Sequence, residues 1–209
     1  MKLKDIADEI QEDLDEKEAV REVALKSSRA IVRLCGSAIQ AIHKEENAAK
    51  ALSEIKRDMD QLKGVISEHP EMEHVGFVEA AYQEFAEASI FHAIAKGVDI
   101  PGRGELGITS QSYLEGIGDA VGELRRQALS SMMSGKVDDA QKSLAMMDEI
   151  YEFLMLFDYP AALAGVKRKQ DVARSLVEKT RGEVSVAARM HALENRLGDF
   201  DKKLEKKKL

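Results

Sequence analysis

Apolar residues recur at three- and four-residue steps along nearly the whole chain, a pattern that leaves room for little besides helix. The stripe opens with Ile6, Ile10 and Leu14 and continues through Val20, Val23, Ile31, Leu34, Ala38 and Ile42. It predicts a first helix of unusual length, ending near His43. A second helix is expected over 46–68, stopping before Pro70, and a third from 71 to Gly97, which suits a C-cap. Gly97-Val98-Asp99-Ile100-Pro101-Gly102-Arg103-Gly104 is the clearest loop. Thr109 or Ser110 should cap a fourth helix that reaches Ser134, with Gly135 as its stop and a fifth helix over 137–157. Pro160 sits where a first-turn proline belongs, opening a sixth helix to Arg181; Gly182 closes it and a seventh occupies 184–206.

No segment alternates with period two, and there is no internal repeat or low-complexity linker. The expected fold is all-α: a single domain over 1–209, built as a seven-helix bundle with short loops. Aromatic residues make up only 5% of the chain, Trp is absent and Pro numbers 3, so few residues oppose helix. Cys35 has no internal partner and lies on the apolar face, which predicts a buried, inert thiol in a reducing compartment. No apolar run is long enough to span a bilayer and the N-terminus lacks a signal-peptide core, so the expected location is the cytoplasm, with no membrane association.

The formal charge of −7 argues against a polyanion binder working by bulk charge. Its distribution is uneven: residues 1–18 are strongly acidic, a basic stripe runs from Lys26 to Lys44, and 201–209 form a lysine-rich helix end or tail.

On a helical wheel of 75–96, Phe77, Ala80, Ala81, Ala88, Phe91 and Ala95 share one side. Glu84 points to the middle of that side and Glu87 to its edge. A carboxylate aimed at a core is costly unless it is paired, protonated or bound to a metal. Three residues apart, the two project from adjacent turns and repel unless a cation lies between them. A buried salt bridge to an arginine satisfies that demand as well as a metal does. In the fourth helix Asp119 and Glu123 share a face opposite Leu114, Ile117, Val121, Leu124 and Ala128, which read alone is a solvent-facing pair. Gly116, Gly118 and Gly122 are odd choices there, each costing about 1 kcal/mol relative to Ala. Glycines admit another backbone or a bulky ligand. Four such carboxylates would suit Mg²⁺, or Mn²⁺, over zinc, and such ions activate water and neutralise charge on a phosphoryl oxygen.

Tyr82-Gln83-Glu84-Phe85-Ala86-Glu87-Ala88 and the segment from Tyr113 to Arg126 resemble the translin family, and within it translin-associated factor X and its single-chain archaeal relatives. Arg21 to Ile31 and Arg181-Gly182 agree, and the resemblance covers nearly the whole chain. It implies a seven-helix fold assembled into hollow, roughly octameric homo-oligomeric shells that enclose nucleic acid. It also implies a Mg²⁺-dependent endoribonuclease with Glu84, Glu87, Asp119 and Glu123 as catalytic, metal-binding residues. Translin itself mainly binds RNA or single-stranded DNA, and binding without cleavage is the alternative expectation.

Lys26, Arg29 and Arg33, continued by Lys44, fall on one side of the first helix. They make either a solvated face or a track for RNA phosphates, with Arg21 and Lys167-Arg168-Lys169 as weaker additions. His43 and His92 are weaker candidates still, for contact with RNA or for proton transfer. Gly102-Arg103-Gly104-Glu105-Leu106-Gly107 spells a dinucleotide fingerprint without the strand that gives it meaning. Glu71-Met72-Glu73-His74 has di-iron spacing but no second copy.

Overall fold

A computed structural model describes residues 2–160 and 165–207. Among these there are seven α-helices and no strand: α1 (Leu3–His43), α2 (Ala49–Ile66), α3 (Gly76–Lys96), a single turn α4 (Arg103–Leu106), α5 (Ser110–Met133), α6 (Val137–Leu154) and α7 (Lys167–Lys207). A 3₁₀ turn, Pro70–His74, precedes α3. None of the described helices is long and apolar enough to cross a membrane.

Boundaries follow local chemistry. Gly97 ends α3 at φ +65°, where a side chain would be strained, and lets the N–H of Val98 reach the Ala93 carbonyl at 3.1 Å. Thr109, rather than Ser110, caps α5: its Oγ1 accepts the Ser112 N–H at 3.2 Å. The expected loop after Gly97 runs into α4, held by the Lys63 ammonium on the Leu106 carbonyl and the Tyr113 hydroxyl on the Pro101 carbonyl.

Two expectations fail. Gly182 does not end a helix: α7 runs through it for 41 residues, so the expected sixth and seventh helices are one. An isolated glycine costs a helix only about 1 kcal/mol, and the packing of Ala173, Val177, Thr180 and Val184 carries the helix across it. Pro160 does not start it; the described helix begins at Lys167, and residues 161–164 lie outside the described set.

The chain forms two compact units, Met1–Gly116 and Ile117–Leu209, whose boundary falls within α5. In the first, α1 packs on α2 and α3 around Ala24, Ile31, Cys35, Ile55, Leu62, Ile90 and Phe91. The N-terminal half of the α1 stripe is not part of this core: Ile10, Leu14 and Val23 are exposed, and burial begins at Ala24. In the second unit α6 packs on α7. Gln170, buried on α7, donates its amide to the Leu154 and Phe157 carbonyls at 2.8 Å each, closing the C-terminal end of α6. The Arg125 guanidinium joins α5 to α7 through Thr180 and both oxygens of Glu183.

Candidate functional site

The carboxylates on α3 belong to the first unit. Glu87 is the deeper of the two at 8% exposure, and Glu84 is half-buried, the reverse of the helical-wheel expectation. Nor is the core face of α3 a single stripe: Val78, Tyr82, Phe85, Ala86 and Ile90 are buried too, while Ala95 is exposed. The wheel assumes one covered side, whereas α3 is covered on several. One cover is α5 itself. A Cβ on Gly116 would lie 2.5 Å from the Gln83 carbonyl oxygen, 2.6 Å from the Ala86 Cβ and 3.0 Å from the Glu87 nitrogen. Only glycine lets the two backbones meet there, and the contact falls on the carboxylate turn.

Cys35 of α1 faces the same turn. Burial pushes its thiol well above the usual range, and the charges of Glu84 and Glu87 add to the rise. It is the buried, inert thiol the sequence predicts.

Asp119 and Glu123 lie in the second unit, on the α5 face away from the buried Ile117, Val121, Leu124 and Ala128. They are not fully solvated. The Lys169 ammonium of α7 donates to Asp119 Oδ1 at 2.5 Å, with both side chains partly buried. Gly118 makes room for it: a Cβ there would come within 2.9 Å of the Lys169 Cβ. Glu123 approaches Arg126 at 3.8 Å. Two of the three odd glycines thus serve close approach, one by backbone and one by the stem of a lysine. Gly122 has open space beside it instead, in a groove of about 380 Å³ edged by Arg125, Arg126 and Met133.

An all-oxygen donor set suits a hard divalent ion. Among the described residues, however, no three His, Cys, Asp or Glu side chains are gathered to hold one. Each helix contributes a pair, and the Asp119 carboxylate already bears an ammonium.

The basic stripe is exposed as expected of either a solvated face or a phosphate track: Lys26, Arg29 and Arg33 on α1 and Lys44 at its C-cap are all exposed. Arg29 and Arg33 edge a groove of about 490 Å³ floored by Leu25, Val32, Phe77 and Ala80. Arg21 is exposed and loosely paired to Glu18 at 3.6 Å.

Residues 10–182 match the translin family. The chain belongs to that family. An uncharacterised protein of Methanocaldococcus jannaschii, MJ0175, is 35% identical over 172 residues, which is 82% of this chain and 78% of the relative. Among solved structures, this translin-family chain is similar to AfC3PO, with a TM-score of 0.79 and 34% identity over 87% of this chain and 96% of that one. AfC3PO in complex with duplex RNA superposes with a TM-score of 0.68 at 31% identity over the same shares of the two chains. The apo form of NeC3PO, at 22% identity and a TM-score of 0.78, shares the fold. The expected translin-type helical fold is therefore present.

Lys169 is the residue that sequence reasoning under-read in this translin-family chain. It stood in a basic cluster valued for phosphate, whereas its partner is a carboxylate. Gly118 was the available signal, since an in-helix glycine marks where something must come close. His43 lies against the Phe91 ring with centroids 4.9 Å apart. Burial, with Lys96 nearby, lowers the His92 pKa.

Proposed function

We propose that this translin-family protein binds RNA and cuts it as a Mg²⁺-dependent endoribonuclease, working in the cytoplasm as a closed homo-oligomer, an octamer. The observation that carries the RNA part is the likeness to AfC3PO, whose structure with duplex RNA superposes over 87% of this chain. The outward row of Lys26, Arg29, Arg33 and Lys44 supports it, because phosphate contacts give affinity without sequence preference. Arg21 extends the row.

The cleavage part rests on Glu84, Glu87, Asp119 and Glu123, the positions that match the acidic residues of translin-associated factor X. Mg²⁺, or Mn²⁺, held by these carboxylates would supply an activated water and offset charge on the phosphate. The chain's own residues prepare for that. Gly116 seats α5 against the backbone of Gln83 to Glu87. Lys169 balances the charge on Asp119.

A second reading, binding of RNA or single-stranded DNA without cleavage, is favoured by that same ion pair. An Asp119 already satisfied by Lys169 needs no metal. A labelled short RNA incubated with Mg²⁺ or with EDTA separates the two. Cleavage that requires Mg²⁺ and is lost in Glu84→Ala and Asp119→Ala, with RNA binding retained, supports the nuclease. Metal-independent binding with no cleavage in any condition assigns the four carboxylates to structure. In a gel shift, Arg29→Ala/Arg33→Ala should weaken binding uniformly across sequences. The double substitution should also flatten the salt dependence by about one unit of log–log slope for each phosphate no longer neutralised.

A further inference from the structure

Each end of the chain carries a bare helical arm. Beyond Val184 no residue of α7 with a described side chain is buried, yet Val186, Met190, Leu193, Leu197 and Phe200 follow one another at steps of four, three, four and three. Each is 55–60% exposed. That is the heptad spacing of a helix seam with its partner missing. At 3.6 residues per turn it lies on the side of α7 opposite the buried Ala173, Val177, Thr180 and Val184. The seam is thus no continuation of the α6–α7 core. It also lies outside residues 10–182, the part that matches the translin family.

A second seam lies at the start of α1, where Leu3, Ile10 and Leu14 are 86%, 53% and 57% exposed and Ile6 is partly covered. It continues the buried stripe of α1, uncovered. The two seams have comparable lengths, about 16 and 21 Å at 1.5 Å per residue. Their flanks carry opposite charge. Residues 3–18 hold eight carboxylates against two lysines, whereas residues 185–207 hold six lysines and arginines against four carboxylates.

We infer that the α7 arm of one copy docks on the α1 arm of a second copy, apolar seam to apolar seam, with the acidic flank of α1 meeting the basic flank of α7. Charge selects this pairing. Two α1 arms side by side would set carboxylates against carboxylates, and two α7 arms would set cation against cation. Each copy offers one arm and receives another, either reciprocally between two copies or head to tail, and a head-to-tail contact closes into a ring when its rotation permits. This deepens the homo-oligomer in the proposed function and is independent of cleavage.

The test uses the full chain without RNA or Mg²⁺, so its result stands apart from nuclease activity. Leu193→Glu/Leu197→Glu and, separately, Ile10→Lys/Leu14→Lys should each lower the mass measured by light scattering, towards the 23.2 kDa of one chain. Helicity by circular dichroism should be unchanged, since all four side chains are exposed. Single variants Leu14→Cys and Leu193→Cys then identify the partner, because Cys35 is buried. A short bis-maleimide should cross-link dimers when the two variants are mixed and not when either is alone. Cross-linking within Leu193→Cys alone would show a symmetric α7 pair and overturn the proposal. So would an unchanged mass in both double variants.

Discussion

Substituting Gly116 and Gly122 by alanine tests whether the glycines of α5 act through close approach, because the two changes are expected to have opposite signs. Each gains about 1 kcal/mol in helix propensity. At Gly122 nothing lies within 4 Å of the new Cβ, so Gly122→Ala should keep that gain and raise the Tm by about 2–4 °C for a chain of this length. At Gly116 the methyl meets the Gln83 carbonyl oxygen at 2.5 Å and the Ala86 Cβ at 2.6 Å. Both atoms are fixed to the α3 backbone and cannot swing aside as a long side chain would. Overpacking costs about 1–3 kcal/mol, and such an immovable overlap belongs at the upper end. The net expectation is a loss of about 1–2 kcal/mol, or about 3–6 °C. Thermal melts followed at 222 nm, at equal protein concentration because assembly shifts the midpoint, provide the measurement. A Gly116→Ala protein that melts at or above wild type would refute the close contact between α5 and the carboxylate turn. Under the proposed function the same variant should also cleave RNA more slowly, while Gly122→Ala should not.

Gln170→Ala should destabilise the second unit by about 1–3 kcal/mol in urea unfolding, since the Leu154 and Phe157 carbonyls lose a buried donor; Gln170→Glu, which keeps the shape and loses the donors, should do no better. His92 has a pKa lowered from 6.5 by burial and Lys96, so the unfolded chain takes up a proton first as pH falls. Stability carried by neutral His92 is intact above about 6.5 and declines as pH drops from there through the lowered folded value. Unfolding at pH 7.5 and 5.5 should show a smaller difference in His92→Gln than in wild type. Cys35, buried with its thiol pushed up, should react with a thiol reagent slowly in the native protein and fully in urea; fast native labelling would contradict its burial.

Helix order and most boundaries were legible because periodicity and caps are local properties: α1 ends at His43 and Gly97 caps α3, as read. The apolar stripe of α5 was legible for the same reason, all of Leu114, Ile117, Val121, Leu124 and Ala128 being buried. What a wheel cannot show is how many sides of a helix are covered. Hence Glu87 rather than Glu84 proved the deeper carboxylate, and hence Ile10 and Leu14, in register with the buried part of α1, stand in the open. Gly182 was over-read, because a residue that often ends helices does so only where nothing packs beyond it. The Lys169–Asp119 pair spans 50 residues of sequence, and no local pattern encodes such a partner. Its nearest trace was the glycine that makes way for it.

The unbroken passage of α7 through Gly182 has a mechanical consequence. With no joint between the packed segment that ends at Val184 and the tip at Phe200, the arm behaves as a rigid lever about 24 Å long. A tilt of about 10° at its base, where Ala173, Val177 and Val184 are seated, would displace the tip by about 4 Å, about three-quarters of a helical turn. Small changes in side-chain volume at those three positions would therefore be felt far from where they are made, as misalignment of whatever the arm must meet.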